Sequence, residues 1–229
     1  MQLKVLSWNI WIKGYFDQIA DFLKGSGADI IGLQEVSPDD PTRDVVDFLD
    51  KLGYQHAFAP FKHTWRGKVF NDGPAIFSKY KIRKTQTYIL SKKNGRVAVR
   101  ADILVGEETL HVFSTHLIHT HQKPSKVQDE QAMTLISKLP KEHVIVIGDF
   151  NATGESSVIK NMRKVLLDCD PASKPTWSMY KEGCLVCYPG GVKIRLDYIF
   201  TTKDIKANSF KVEDSKASDH LPISVMIEV

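Results

Sequence analysis

The run Val144-Ile145-Val146-Ile147 narrows the architecture more than any other feature of the chain. Alternate residues of a strand point to opposite faces, so a continuous apolar run describes a strand buried on both, with a packed layer on each side of its sheet. Other segments read as strands: Leu3 and Val5 running to Asn9, then Ile30, Ile31 and Leu33 ending at Gln34-Glu35. Further stretches lie at about 54–59, 73–78, 82–90, 97–105 and 109–115, then at Ile194–Phe200, about 208–213, and the final Ile223, Val225, Ile227, Val229 alternation.

Helical stripes separate some of them. Phe16, Ile19, Ala20 and Leu23 fall on one helix face before Gly25 and Gly27, and Val45, Phe48, Leu49 and Leu52 do so before Gly53. Ser125 with Gln128 reads as a capping box ahead of Ala132, Leu135, Ile136 and Leu139, and a short helix is expected near 155–164. Many strands in series with irregularly placed helices predict an α/β fold of two sheets packed face to face with helices outside, a four-layer sandwich. The pattern alone also fits other mixed α/β arrangements.

With 229 residues, 42% of them hydrophobic, the chain can fill one large core, and neither repeats nor long linkers divide it. A single domain over 1–229 is expected. The opening residues alternate like a strand and lack the pattern of a signal peptide, and no apolar run approaches the roughly 20 residues that span a bilayer. Three cysteines argue against a disulfide framework and suit a reducing, cytoplasmic setting. A net charge of +4 tolerates an anionic substrate but falls short of a dedicated nucleic-acid binder.

Function is legible in where the polar residues stand. Asn9, Glu35, His116 and Asp149 with Asn151 each follow directly on an apolar strand pattern, and strand ends converge on one rim of a sheet. Together with Asp197, Asp219 and His220 they form an oxygen-rich set without cysteine, suited to a hard cation such as Mg²⁺ or Mn²⁺ rather than zinc.

Six ordered motifs carry a more specific signal: Ser7-Trp8-Asn9, Leu33-Gln34-Glu35-Val36, Ser114-Thr115-His116-Leu117, Gly148-Asp149-Phe150-Asn151-Ala152, Arg195-Leu196-Asp197-Tyr198-Ile199 and Ser218-Asp219-His220-Leu221-Pro222. In this order they resemble the endonuclease/exonuclease/phosphatase superfamily, whose members include deoxyribonuclease I. The resemblance implies the deoxyribonuclease I-like four-layer sandwich of two mixed sheets flanked by helices, and Mg²⁺-dependent phosphoester hydrolysis with Mn²⁺ as a substitute.

It further implies that Glu35 is the main metal ligand, completed by Asn9 and Asp219. His220 would contact the scissile phosphate with Asp197 orienting it, Asp149 would position and deprotonate water, and Asn151 would donate to a non-bridging oxygen. His116 matches the histidine of the deoxyribonuclease I and sphingomyelinase branches, and Asp72 is the candidate to support it. The Gly-Asn-His-Asp/Glu and Asp-x-His signatures of calcineurin-like phosphoesterases are missing.

Other residues carry both a functional and a plainer reading. Segment 61–70, with Arg66, interleaves bases and aromatics as single-strand binders do, and is equally a solvated loop with a hydrophobic anchor. A second such loop holds Lys174, Trp177, Tyr180 and Lys181, with Trp177 expected on the substrate side. Trp8 and Trp11 are expected in core and rim packing. Cys184 and Cys187 form a lone Cys-x-x-Cys without a second pair, so they are expected to be loop cysteines without zinc, and His119 and His121 to be exposed. The expected substrate is a phosphodiester, DNA or RNA first, a phospholipid head group or small phosphoester second. No obligate protein partner is inferred.

Overall fold

The computed structural model describes residues 1–65, 68–91 and 94–229. In chain order these form β1 (Gln2–Asn9), α1 (Phe16–Gly25), β2 (Ile30–Val36), α2 (Val45–Lys51), β3 (Gln55–Phe58), β4 (Phe61–Trp65) and β5 (Lys68–Ser78). Then come β6 (Ile82–Ile89), β7 (Val97–Val105), β8 (Glu108–His116), α3 (Lys126–Ile136), β9 (Val144–Asp149) and α4 (Ser157–Val165). The chain closes with β10 (Leu167–Asp168), β11 (Asp197–Thr201), β12 (Lys206–Val212) and β13 (Ile223–Glu228).

Two mixed sheets result. One has the order β12-β13-β1-β2-β5-β3 with β4 added on β5, and the other runs β10-β11-β9-β8-β7-β6. β9 shows why the sheets face each other: Ile145 and Ile147 pack with Val5, Ile30, Ile76 and Ile223 of the opposite sheet, whereas Val144 and Val146 pack with Ala132, Leu135, Ile159 and Met162 of α3 and α4. The period of two thus sends successive residues of one strand into two different cores. On the far side of the first sheet, Leu6, Trp8, Ile31 and Leu33 bury Ile19 and Leu23 of α1 and Val45 and Leu49 of α2. This is the four-layer α/β sandwich expected from the sequence.

Gly32 lets the two sheets approach: a Cβ there would stand 2.0 Å from Ile147 Cδ1. Asp44, Ser125 and Ser156 cap α2, α3 and α4 through their side-chain oxygens. The capping box is only half made. Ser125 accepts the Gln128 N–H, but the Gln128 amide turns away to donate to the carbonyls of Ile118, Phe150 and Asn151.

Residues 61–65 of the segment read above as a loop instead form β4 and pair with the start of β5, in the register Phe61 opposite Asp72 and Lys62 opposite Asn71. Arg66 lies outside the described residues. Among the described residues no helix is long and apolar enough to cross a membrane.

Candidate active site

Strand pairing brings the predicted residues together. His116 of β8 lies in register with Asp149 of β9, and Asp149 with Asp197 of β11, so three candidate side chains stand in a row on the rim of one sheet. On the facing rim Asn9 pairs with Gln34, next to Glu35. Glu35 adopts φ 59° where the β2–β5 register shifts between Leu33 and Val36, a bulge that re-aims its side chain. The loop before β13 is pinned to β1 by the Trp8 indole donating to His220 O at 2.9 Å and by Ser218 Oγ donating to Asn9 O at 2.7 Å. Asp219 and His220 are thereby carried to the same cleft.

That cleft, of about 270 Å³, is lined by Asn9, Glu35, Asp72, His116, Asp149, Asn151, Trp177, Asp219 and His220 among others, while Asp197 is fully buried behind it. Asn9 Nδ2 donates to Glu35 Oε1 and Asp149 Oδ2, both at 3.1 Å, linking the two rims. Asp149 Oδ1 accepts the Asn151 N–H at 2.8 Å, and His116 Nε2 and His220 Nε2 stand 3.4 and 3.6 Å from Asp149 Oδ2. His220 Nδ1 lies 2.9 Å from Asp197 Oδ2. His220 is thus held between two carboxylates.

Burial dominates the electrostatics. It raises Asp149 to about 7, with Asp197 adding to the rise and His220 opposing it, and raises Asp219 to about 6, with Glu35 contributing. Burial alone would depress His220, but the charges of Asp197, Asp149 and Asp219 outweigh it and hold the imidazole well above its ordinary range. A carboxyl that titrates near neutrality beside a protonated imidazole is what acid–base chemistry at neutral pH requires.

Several residues that support the site went unread in the sequence. Thr176 Oγ1 donates to Asp197 Oδ2 at 2.6 Å, and Trp177, only 2% exposed, donates its indole N–H to Asp219 Oδ2 at 3.0 Å. The buried Arg43 donates to the carbonyls of Ile12 and Trp11, fixing the loop whose Ile12 N–H donates to Glu35 Oε2 at 2.7 Å. Arg96 lines the cleft, its guanidinium 5.0 Å from the Phe61 ring centroid and within the field of Asp72, Glu35 and Asp149. No motif marked these positions. Only Trp177 carried a sequence signal, and it pointed to substrate rather than to carboxylates.

The cysteine expectation needs correcting. Cys184 and Cys187 are joined by a disulfide and lie against His119 and His121. His121 is exposed as expected, whereas His119 is half-buried with Nδ1 2.7 Å from Asn151 Oδ1. Sequence spacing could not show this, because 63 residues separate His121 from Cys184.

Comparison with known proteins identifies the family and the fold. A family model described as Endonuclease/Exonuclease/phosphatase family matches residues 6–220. The chain belongs to that family. Members of the endonuclease/exonuclease/phosphatase family are phosphoric ester hydrolases that generally work with a divalent metal. Similar solved structures include an endonuclease/exonuclease/phosphatase from Beutenbergia cavernae, with TM-score 0.81 and 19% identity over 100% of this chain and 72% of that one. ANGEL2, a 2',3'-cyclic phosphatase, superposes with TM-score 0.79 at 16% identity over 99% and 95% of the two chains. A mannosyl-6-phosphatase from Bacteroides thetaiotaomicron does so with TM-score 0.73 at 16% identity over 99% and 100%. At such identities the likeness shows the shared fold, not a shared substrate. No curated protein matches the sequence.

The residues fit the family's divalent ion. Asp219 Oδ1 is buried and, among the described residues, has no hydrogen-bond partner, and Glu35 lies close enough to raise the Asp219 pKa. Carboxylate oxygens clustered at this cost in repulsion and desolvation are the donor set a hard cation uses.

Proposed function

We propose that the chain is a Mg²⁺-dependent phosphodiesterase, with Mn²⁺ as a substitute, acting on the ends or internal linkages of nucleic acid. The observation that carries this reading is the His220 imidazole held between Asp197 and Asp149 at the floor of a cleft that also presents Glu35 and Asp219.

Glu35, Asn9 and Asp219 would hold the cation, which when bound supplies positive charge to the phosphoryl oxygens. Asp149 accepts a proton from the attacking water, a task matched to a pKa of about 7. His220, kept protonated and oriented by Asp197, donates to a non-bridging phosphate oxygen, and His116 flanks the same phosphate. The Asn151 amide hydrogens point to Leu117 O at 3.1 Å and Asp149 Oδ2 at 3.3 Å, and exchanging the longer bond for a phosphate oxygen provides a donor as negative charge builds. Asp149, Asp197 and His220 lie close enough to ligate an ion themselves. We assign them to proton handling because both ring nitrogens of His220 already face carboxylates.

Two features support a nucleic-acid substrate. Trp11, stacked on Tyr180 at 5.8 Å, offers an aromatic platform at the cleft wall, and Lys13 and Arg96 supply cations beside it. A second reading, a small phosphoester, is favoured by the modest cleft of about 270 Å³, and the relatives include enzymes named as a cyclic phosphatase and a mannosyl-6-phosphatase. Trp177 and Asp72 belong to the cleft lining in either case. A panel of single- and double-stranded DNA, RNA, abasic DNA, sphingomyelin and sugar and inositol phosphates, with Mg²⁺ or Mn²⁺ and Glu35→Ala as control, separates the readings. Oligonucleotide cleavage that weakens steeply with salt supports the first, and turnover of small phosphoesters alone replaces it with the second.

A further inference from the structure

At one edge of the cleft the loop after β8 meets the loop before β11, and their contact includes four side chains with metal-binding chemistry. His119 Nε2 lies 3.3 Å from Cys187 Sγ and 3.2 Å from His121 Nδ1. His121 Nδ1 lies 3.3 Å from Cys184 Sγ and 3.4 Å from Cys187 Sγ. One ligand atom from each residue falls within 4.8 Å of all the others. A tetrahedral site with Zn–N bonds of about 2.0–2.1 Å and Zn–S bonds of about 2.3 Å has N···N edges of about 3.3 Å and N···S edges of about 3.5 Å. Four observed separations lie close to those values.

The surroundings prepare the same chemistry. An amide oxygen only accepts, so the 2.7 Å contact of Asn151 Oδ1 with His119 Nδ1 puts the hydrogen on Nδ1 and leaves the Nε2 lone pair facing the sulfurs. The Cys187 N–H donates to Cys184 Sγ at 3.0 Å, a bond that favours a thiolate. His121 is exposed, so the cluster opens to solvent and an ion can enter. A Cys-x-x-Cys disulfide by itself uses neither imidazole, and the convergence of both ring nitrogens on the sulfurs is what the disulfide leaves unexplained.

We propose that His119, His121, Cys184 and Cys187 form a zinc site, bordering the phosphoester cleft through His119 but using none of its oxygen donors, that ties the two loops together and fixes Asn151 through His119. Soft thiolates with imidazoles select Zn²⁺, whereas the oxygen donors of the cleft select a harder ion. The zinc form and the disulfide form are alternatives. Two equivalents of a small thiol reduce the Cys184–Cys187 bond to two thiols and leave as their own disulfide, and Zn²⁺ then displaces the two thiol protons without further redox change.

The test is metal and thiol analysis of the full chain purified under a thiol reductant, followed by Co²⁺ replacement. We expect one zinc per chain, and a cobalt spectrum with the strong d–d bands of a tetrahedral ion and a thiolate-to-cobalt charge-transfer band. Glu35→Ala keeps that band, because the cleft contributes no sulfur, and the Cys184→Ser/Cys187→Ser double variant loses it along with the zinc. Should the double variant not fold, His121→Ala, at an exposed position, weakens Co²⁺ binding by about 10-fold or more. The proposal is overturned if reduction in the presence of a chelator fails to yield the Cys184 and Cys187 thiols. It is equally overturned if the fully reduced chain binds Co²⁺ without a thiolate band, if the band survives in the Cys184→Ser/Cys187→Ser double variant, or if His121→Ala leaves the Co²⁺ affinity unchanged.

Discussion

Thr176 and His220 share one oxygen: Asp197 Oδ2 accepts the Thr176 hydroxyl at 2.6 Å and faces His220 Nδ1 at 2.9 Å. Asp197 therefore cannot rotate without breaking a bond that has nothing to do with substrate, and the imidazole inherits that fixed direction. Replacing the carboxylate by an amide removes the charge that holds the proton on His220. Asp197→Asn should lower kcat on the order of 10²–10⁴-fold with little change in fold. In the same variant the His220 ring should titrate at a lower pH by NMR. A kcat within tenfold of wild type would show that His220 needs no such partner.

Thr176→Val tests the support beneath that pair. The substitution keeps the shape but strips a donor from a fully buried carboxylate, and it also removes the acceptor for the Leu196 and Asp197 N–H groups. A loss of about 1–3 kcal/mol in urea-unfolding free energy is expected, together with reduced kcat. Unchanged stability would mean that the hydroxyl is dispensable to the packing.

The stability of the cation-free chain should fall as pH rises. Asp149 at about 7 and Asp219 at about 6 lie above the 3.8 of an ordinary aspartate, so each contributes stability that is complete below pH 3.8 and lost as pH rises through those values. His220, held above its ordinary range, works in the same direction, whereas His119, lowered by burial, opposes it only up to its ordinary 6.5, and the lowered Asp102 and Glu213 act at more acidic pH. Thermal melts in EDTA should give a lower Tm near pH 8 than near about pH 5.5, and added Mg²⁺ should restore more at the higher pH. The opposite slope would contradict the burial of uncompensated carboxylates.

Gly32→Val tests the contact between the sheets. The added atoms meet Ile147 Cδ1 at 2.0 Å and Cγ1 at 2.6 Å, so one sheet must shift or Ile147 must leave its rotamer. A cost of about 1–3 kcal/mol is expected from the urea midpoint, and a wild-type midpoint would show that the sheets are not packed as closely as described.

Much of this molecule was legible before folding. The Val144–Ile147 run set the layers, and the eight motif residues lie together at one cleft because each stands beside a strand end whose register is fixed by a buried face. What was hidden has a common cause. Thr176, Arg43 and Gln128 act by hydrogen-bonding to groups distant in sequence, and their residue types are ordinary in loops and helices. Gln128 even satisfied a local pattern, the capping box, while its amide served the Asn151 loop. The β4–β5 pairing was hidden for a related reason. Its basic and aromatic residues lack a clean apolar alternation, and the ladder with the long β5 settles its conformation.

The most direct test of the account is the initial rate of hydrolysis of a simple aryl phosphodiester with and without Mg²⁺, for wild type, Asp149→Asn and His220→Ala, with the fold of each verified by circular dichroism. The account predicts turnover that EDTA abolishes and Mg²⁺ restores, and a fall of about 10²–10³-fold or more in each variant. Turnover independent of divalent cation, or retained in folded Asp149→Asn, would contradict it.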